Sequence, residues 1–387
     1  MLPKARRALR TLAALLVAAA TTASQSAGAA PGPAESPPPA GMPAGRDTAA
    51  AVDSPVRDDE EVVLFPSLAS RQVDGTGWSV DVHAWIFEPE QDSAWRGLAV
   101  DLSAALPGLS RDDLDDPRLQ RRLRAFLVDN ERGKRLPLLA AGHLARLPRT
   151  GPDGHVTATQ RLDDAAVAAA RDEHGWLPLA VLPPPGDPRR FPGRALLVPP
   201  TGLSVISDID DTVKLSHVTD TERLLRTTFL EEWQAVPGMP ALYARLAERG
   251  ALFHYVSSSP WQLGPELQTF LADAGLPAGS FHLKSFRAKD RTLFDLFASA
   301  EETKPAVIEP LLERFPGRRF VLVGDSGERD PEVYGRLARD RPGQVERILI
   351  RTAPGGDNTP ERFAAAFAGL PAEAWQVFAN PADVALP

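Results

Sequence analysis

The period of the hydrophobic positions changes near residue 200. Upstream, Trp78, Val80, Val82, Ala84 and Ile86 alternate with Ser79, Asp81, His83 and Trp85 after the turn Asp74-Gly75-Thr76-Gly77, the period of two expected of a half-buried strand. A second strand, His155 to Leu162, follows Pro152-Asp153-Gly154. This half predicts a β-rich domain with some helix, on the lines of a sandwich. From Leu203 onward, short apolar runs alternate with helical patterns. Strand Leu203 to Ser207 precedes a helix that starts at Pro240, turns Leu242, Tyr243 and Leu246 inward and stops at Gly250. Strand Leu252 to Val256 leads to a helix bearing Leu263, Leu267, Phe270 and Leu271 and ended by Gly275. Further strands are predicted at Phe281 to Leu283, Arg319 to Val323 and Val345 to Ile350. Such alternation predicts an α/β domain, a parallel sheet with helices on both faces that binds ligands at the carboxyl ends of its strands.

The start of the chain adds a location. Lys4, Arg6, Arg7 and Arg10 precede an apolar run from Thr11 to Ala20 and the small residues Ala27-Gly28-Ala29. A basic region, a short apolar core and an A-x-A site predict a signal peptide over residues 1–29 and an exported protein, periplasmic or secreted. Residues 30–60, rich in Pro, Ala, Gly and Asp, cannot bury enough apolar surface to order themselves and predict a tether. The remainder divides into a β-rich accessory domain, 61–200, and an α/β catalytic domain, 201–387. There are no cysteines, which excludes disulfide scaffolding, thiol catalysis and Cys-based zinc sites. Loss of residues 1–29 removes four basic and no acidic side chains, taking the net charge from −8 to −12. That balance argues against nucleic acid as a partner and weakly against strong docking to anionic lipid headgroups.

The candidate chemistry begins where the first strand of the second half ends, in Ser207-Asp208-Ile209-Asp210-Asp211-Thr212. On an extended backbone, residues two apart point to one side, roughly 6.5 Å from each other, so Asp208 and Asp210 could reach one metal ion and one phosphoryl group. A carboxylate can then attack phosphorus while its neighbour protonates the leaving oxygen. Three clustered aspartates also make an ordinary solvated turn or helix cap. An EF-hand fails, because Val213 stands where the loop needs Gly and Thr219 where it needs Glu.

Three other segments carry suitable side chains. Ser257-Ser258-Ser259-Pro260 follows a strand and, read as a helix start, offers hydroxyls and free N–H groups to phosphate oxygens; a plain Ser N-cap before Pro explains it equally. In Gly324-Asp325-Ser326-Gly327-Glu328-Arg329-Asp330, Asp325 is placed to hold a metal and Gly327 lets the backbone turn closely around it. Asp330, before Pro331, is either a metal ligand or the N-cap of the next helix. The serine-protease string is incomplete here, with Glu328 where Gly is needed. Lys304 heads a helix bearing Val307, Ile308, Leu311 and Leu312, in which Pro310 predicts an irregular or late start. His83, His143, His155 and His174 are scattered and read as surface or strand histidines.

The order acid pair, serine, lysine, Gly-Asp resembles the four-motif pattern of the haloacid dehalogenase (HAD) superfamily of phosphatases. Residues 207–214, 254–263 and 322–331, with the turn Val236-Pro237-Gly238-Met239, are more closely similar to the actin-patch-associated phosphatidate phosphatase family. The resemblance runs from about 195 to 355. It implies a HAD-like Rossmannoid domain in which Asp208 is the nucleophile that becomes phosphoaspartyl and Asp210 is the acid and then the base. Ser257 and Ser258 would bind phosphate, Lys304 would neutralise charge, and Asp208, the Asp210 carbonyl, Asp325 and Asp330 would hold Mg²⁺. The implied partner is a phosphorylated substrate, a phospholipid such as phosphatidate, met through peripheral membrane contact. The stretch Val213 to Val236 is too short for a large separate lid, which suits a bulky or membrane-held substrate. The alternatives are soluble or protein-bound phosphomonoesters, or an idle fold used for binding, which would need neither acid.

Overall fold

The computed structural model describes residues 54–89, 113, 115–285 and 300–386. The signal peptide and most of the tether expected from the sequence lie outside the described residues. Residues 54–60, assigned by composition to the tether, are packed instead: Val56 is buried, and Arg57 pairs with Glu60, Glu88 and Glu131.

The first half holds β1 (Glu61–Leu64), β2 (Ser67–Arg71), β3 (Trp78–Pro89), α1 (Pro117–Arg124), β4 (Val128–Asn130), β5 (Pro137–Ala140), β6 (His143–Arg146), β7 (His155–Leu162), α2 (Asp164–Ala170), β8 (Trp176–Val181) and β9 (Phe191–Val198). Both strands read from alternation are present. The nine strands form one hydrogen-bonded sheet, not the two of a sandwich, because the 12-residue β3 is long enough to pair with β1, β2, β4 and β7. The sheet gathers Val80, Val82, Ala84, Ile86, Val156 and Leu177 into a core.

The second half holds β10 (Gly202–Ser207), α3 (Thr221–Phe229), α4 (Met239–Glu248), β11 (Leu252–Pro260), α5 (Gly264–Asp273), β12 (Gly279–Lys284), α6 (Ala300–Arg314), β13 (Arg318–Asp325), α7 (Asp330–Asp340), β14 (Val345–Arg351), α8 (Pro360–Ala366) and β15 (Trp375–Phe378). Its six strands run in the order β12-β11-β10-β13-β14-β15, with parallel pairings throughout. The α/β expectation is borne out, and α4 and α5 end at Gly250 and Gly275, both in the left-handed region. From β10 the chain turns first toward β11 and β12, then back to β13 on the other side. That reversal leaves a crevice at the carboxyl ends of β10 and β13, where doubly wound sheets bind ligands.

Three details differ from the sequence expectation. β11 continues through the serines to Pro260, and a 3-10 turn, Trp261–Leu263, follows directly and leads into α5, so the serines are strand residues just ahead of the helical start rather than its cap. α6 begins at Ala300, before Lys304, and carries Pro305 and Pro310 within it. The four-residue edge strand β15 was too short to register as a pattern.

The two halves share their cores. Phe65 and Trp85 join Val205, Tyr255, Trp261 and Leu263 on one face of the parallel sheet. Leu68, Trp176 and Val198 join Ile206, Ile308 and Phe320 on the other. Phe281 N donates to Pro66 O, and Arg314 of α6 reaches Asp81, Ser70 and the Ser79 carbonyl.

Candidate active site

β10 ends at Ser207, and the three aspartates that follow take three directions. Asp208 N donates to Val323 O, which extends the register with β13 by one residue and seats the Asp208 side chain in the crevice. Its Oδ1 lies 3.0 Å from Lys304 Nζ, and its Oδ2 accepts from Thr212 Oγ1 at 2.9 Å. Asp211 has φ 55° and folds the chain back: its carboxylate accepts the backbone N–H groups of Ser216, His217 and Val218. The turn expected of clustered aspartates is thus Asp211's work. Asp210 lies between, and its Oδ1 meets Lys214 Nζ at 2.8 Å and Ser216 Oγ at 2.7 Å. Its Oδ2 accepts from Ser257 Oγ at 3.0 Å and Ser259 Oγ at 2.9 Å.

The expectation that both carboxylates reach one ion therefore needs correction. Spacing of i and i+2 gives a common side only on extended backbone, and the strand has already ended. Asp208 gathers with Asp325 and Asp330, each offering an oxygen within 4.8 Å of the others, whereas the Asp210 carboxylate is outside that group.

Asp325, the last residue of β13, accepts Gly327 N at 2.6 Å on Oδ1. A Cβ at Gly327 would stand 2.8 Å from that same oxygen, so the close approach expected there is present. The other oxygen, Oδ2, is buried with no hydrogen-bond partner among the described residues. Asp330 is the first residue of α7 rather than its cap, which is Arg329. Its Oδ1 binds Lys304 Nζ and its Oδ2 accepts Asp325 N at 3.2 Å. Gly324 makes this possible, because a Cβ there would collide with the Asp330 carboxylate. Lys304 Nζ also meets Glu328 Oε2 at 2.8 Å, a residue noted in the sequence only for breaking the protease string.

Three carboxylates, Asp208, Glu328 and Asp330, thus meet one ammonium, with Asp325 beside them, in a site where Asp208, Asp325, Asp330 and Lys304 are all buried. Burial and the mutual repulsion of the carboxylates push Asp208, Asp325 and Asp330 up despite Lys304. Burial by itself would lower Lys304, but Asp208, Asp330 and Glu328 hold it well above the ordinary lysine range. The cluster either takes up protons or takes a cation. The oxygen-only donors and the orphaned Asp325 Oδ2 fit a hard divalent ion such as Mg²⁺. Burial also works against the Asp210 charge, yet Lys214 and the hydroxyls of Ser216 and Ser259 outweigh it and bring the group down to about 2.

Ser257 and Ser259 point from one side of β11 toward Asp210. Ser258, expected beside Ser257 in the site, makes no bond to Asp210, and its Oγ is buried without a partner among the described residues. The pairing of β11 with β12 is irregular between Val256 and Pro260, and Ser259 rather than Ser258 joins Ser257 on Asp210. Ser326 Oγ bonds Asn358 and Ala353 N and no histidine among the described residues, which removes the protease reading. Lys214 and Thr212 sit in the Asp-x-Asp-x-x-x-Lys string but carry no signal of their own.

Over residues 203–352 the chain matches the family model for the catalytic domain of phosphatidate phosphatase APP1. The resemblance read from the motifs is borne out, and all the residues above from Asp208 to Asp330 fall within the match. The chain is 36% identical over 158 residues to phosphatidate phosphatase APP1 of Saccharomyces cerevisiae, covering 40% of this chain and 26% of that protein. It is 33% identical over 154 residues to an uncharacterized protein of Schizosaccharomyces pombe, covering 39% and 25%. It therefore spans about a quarter of the length of the curated relatives it matches. A D,D-heptose 1,7-bisphosphate phosphatase from B. bronchiseptica, crystallised with magnesium and phosphate, aligns with 47% of this chain and 94% of its own at 18% identity and a TM-score of 0.28.

Proposed function

We propose that the protein is a Mg²⁺-dependent phosphatase that hydrolyses phosphomonoesters through a phosphoaspartyl intermediate on Asp208, with phosphatidate or a related phospholipid as substrate. The observation that carries this reading is the buried group Asp208, Asp325 and Asp330 beside Lys304, two residues along the chain from an Asp210 whose carboxylate is held by Lys214, Ser257 and Ser259. The match to the phosphatidate phosphatase APP1 catalytic domain supports the lipid class. The signal-like residues 1–29 support export.

Asp208, Asp325 and Asp330 would hold the ion, which when bound supplies charge neutralisation to the site and to the phosphoryl oxygens. An Asp208 carboxylate oxygen attacks phosphorus; the P–O bond to the alcohol breaks, and the departing oxygen takes a proton from Asp210. Asp210 then removes a proton from water, the water oxygen attacks phosphorus, and the aspartyl–phosphorus bond breaks to return Asp208 and release phosphate. At rest Asp210 is charged, which suits the second half of the cycle. The first half requires a proton on it, and a phosphate dianion brought beside the same carboxylate favours that proton by like-charge repulsion. Lys304 steadies the charge on Asp208 and on the transferring group.

The test is phosphate release by the full chain from phosphatidate in mixed micelles, with Mg²⁺ or chelator, beside soluble phosphomonoesters. Mg²⁺-dependent release from the lipid, lost in Asp208→Asn with the fold intact, is the expected result. Activity on soluble esters alone would remove the lipid substrate and keep the chemistry. Silence on every ester would remove the phosphatase.

A further inference from the structure

The β-rich half reaches the catalytic centre through one buried cation. Arg122 lies in α1, is 3% exposed, and turns away from its own half. Its Nη1 donates to the carbonyls of Thr228 at 3.0 Å and Glu231 at 2.7 Å, where α3 ends and has carbonyls without intrahelical partners. Its guanidinium carbon stands 4.2 Å from the centre of the Trp233 ring. Trp233 Nε1 donates to the carbonyls of Thr227 and Thr228 in the same turn, so arginine and indole grip one piece of backbone.

Lys214 Nζ lies 5.0 Å from the centre of that indole. Lys214 is itself buried, and its other partners are Asp210 Oδ1 at 2.8 Å and Ser216 Oγ at 2.5 Å. Backbone bonds from Leu215 N to Gln234 O and from Val236 N to Val213 O tie the lysine segment to the segment that carries Trp233. Burying a guanidinium costs several kcal/mol unless it is well paired. The nearest carboxylate, Glu266, is 3.8 Å from Arg122 Nε, and that nitrogen has no hydrogen-bond partner among the described residues. The arginine is therefore a poor device for stability alone. The groove of about 680 Å³ beside it is walled by three arginines, 118, 121 and 122, against Asp116, Glu232, Glu266 and Asp273, so it has no excess of positive charge to recognise an anion.

We propose that Arg122 is a positioning residue: through Trp233 and Lys214 it holds Asp210 where the carboxylate meets the leaving oxygen. The accessory half is then part of the catalytic apparatus. This inference rests on the phosphatase reading. It predicts a dependence on the leaving group, because an alkoxide needs the Asp210 proton to depart and p-nitrophenolate does not.

The experiment compares glycerol phosphate with p-nitrophenyl phosphate in the full chain, using wild type, Arg122→Ala and Arg122→Lys, with thermal melts to establish folding. Positioned general acids contribute about 10²- to 10⁴-fold, and partial misplacement should remove on the order of tenfold from kcat on the alkyl ester. The aryl ester should change by less than about threefold, the acid being dispensable there. Arg122→Lys keeps a charge over the indole but loses the grip on two carbonyls, so it should fall between, and it serves if Arg122→Ala does not fold. Equal losses on both esters, or no loss on either, would overturn the assignment. A wild type that cleaves phosphatidate in mixed micelles but neither soluble ester is compared on that lipid, an alkyl ester, where undiminished turnover by Arg122→Ala overturns the assignment; a wild type silent on all three overturns it together with the phosphatase reading.

Discussion

At the scale of single residues, position on the strand decides which carboxylate does what. Asp208 is still in register with β13, Asp210 is past the strand end, and Asp211 has φ 55° and closes the turn. Gly324 is the least conspicuous member of the site and a sensitive one. Gly324→Ala should drive the Asp330 carboxylate out of the cluster and lower kcat on the order of a hundredfold, the usual cost of misplacing a catalytic group by about 1 Å. It should also weaken the rise in melting temperature on adding Mg²⁺; unchanged turnover and Mg²⁺ response would show that Asp330 plays no part. Asp208, Lys304 and Asp325 were legible because the chemistry demands those residue types at strand ends and helix starts. Glu328, Lys214 and Ser259 were not, since each acts through a contact that only the folded crevice creates.

At the scale of elements, α6 and β11 connect the site to the rest of the molecule. α6 carries Lys304 in the cluster and Arg314 at its far end, where the guanidinium binds Ser70 and Asp81 of the β-rich half. Arg314→Met should lower stability by about 1–3 kcal/mol in urea denaturation, by loss of a charge-assisted pair and of the Ser70 hydroxyl's partner; no change would mean that the pair is idle in solution. The sequence made Pro310 a reason to doubt this helix. Tertiary packing overrides that local cost, with Ile308, Leu311 and Leu312 buried on one face. β11 shows the converse error. Ser-Ser-Ser-Pro reads locally as a helix cap, but Asp210 gives the Ser257 and Ser259 hydroxyls partners on the strand, and helical structure starts only past Pro260, as a 3-10 turn at Trp261–Leu263 that leads into α5.

At the scale of the whole molecule, the junction between the halves is sensitive to acid. His83 Nε2 and His155 Nδ1 are 2.9 Å apart, and both rings lie against Phe65, with Trp261 at the edge of His83. Burial, helped by His155 and His282, lowers His83 to about 3, and burial lowers His155 to about 4. Both are neutral in the folded protein, whereas in the unfolded chain they protonate near 6.5. Their stability contribution is therefore complete above pH 6.5 and is lost as pH falls from there toward about 4 for His155 and about 3 for His83. The slope approaches about 1.4 kcal/mol per pH unit for each histidine. Thermal melts between pH 8 and 5 in saturating Mg²⁺ should show that loss, and His83→Gln should flatten the profile while leaving the carboxylates' own titration in place. Parallel profiles for the two proteins would contradict it. The sequence reads these histidines as surface or strand residues; they lie in strands but are packed rather than at the surface, because periodicity within one strand cannot show that Phe65 and Trp261 cover its outer face. For the same reason the change of period near residue 200 gives no sign of the core shared across it.

The most direct test of the central claim is to quench the enzyme with acid during turnover of a phosphomonoester in Mg²⁺ and map the phosphorylated peptide by mass spectrometry. The account predicts a phosphoryl group on Asp208, discharged by water on further incubation and absent from Asp208→Asn. Turnover with no phosphoryl group on Asp208, or with one on another residue, would contradict it.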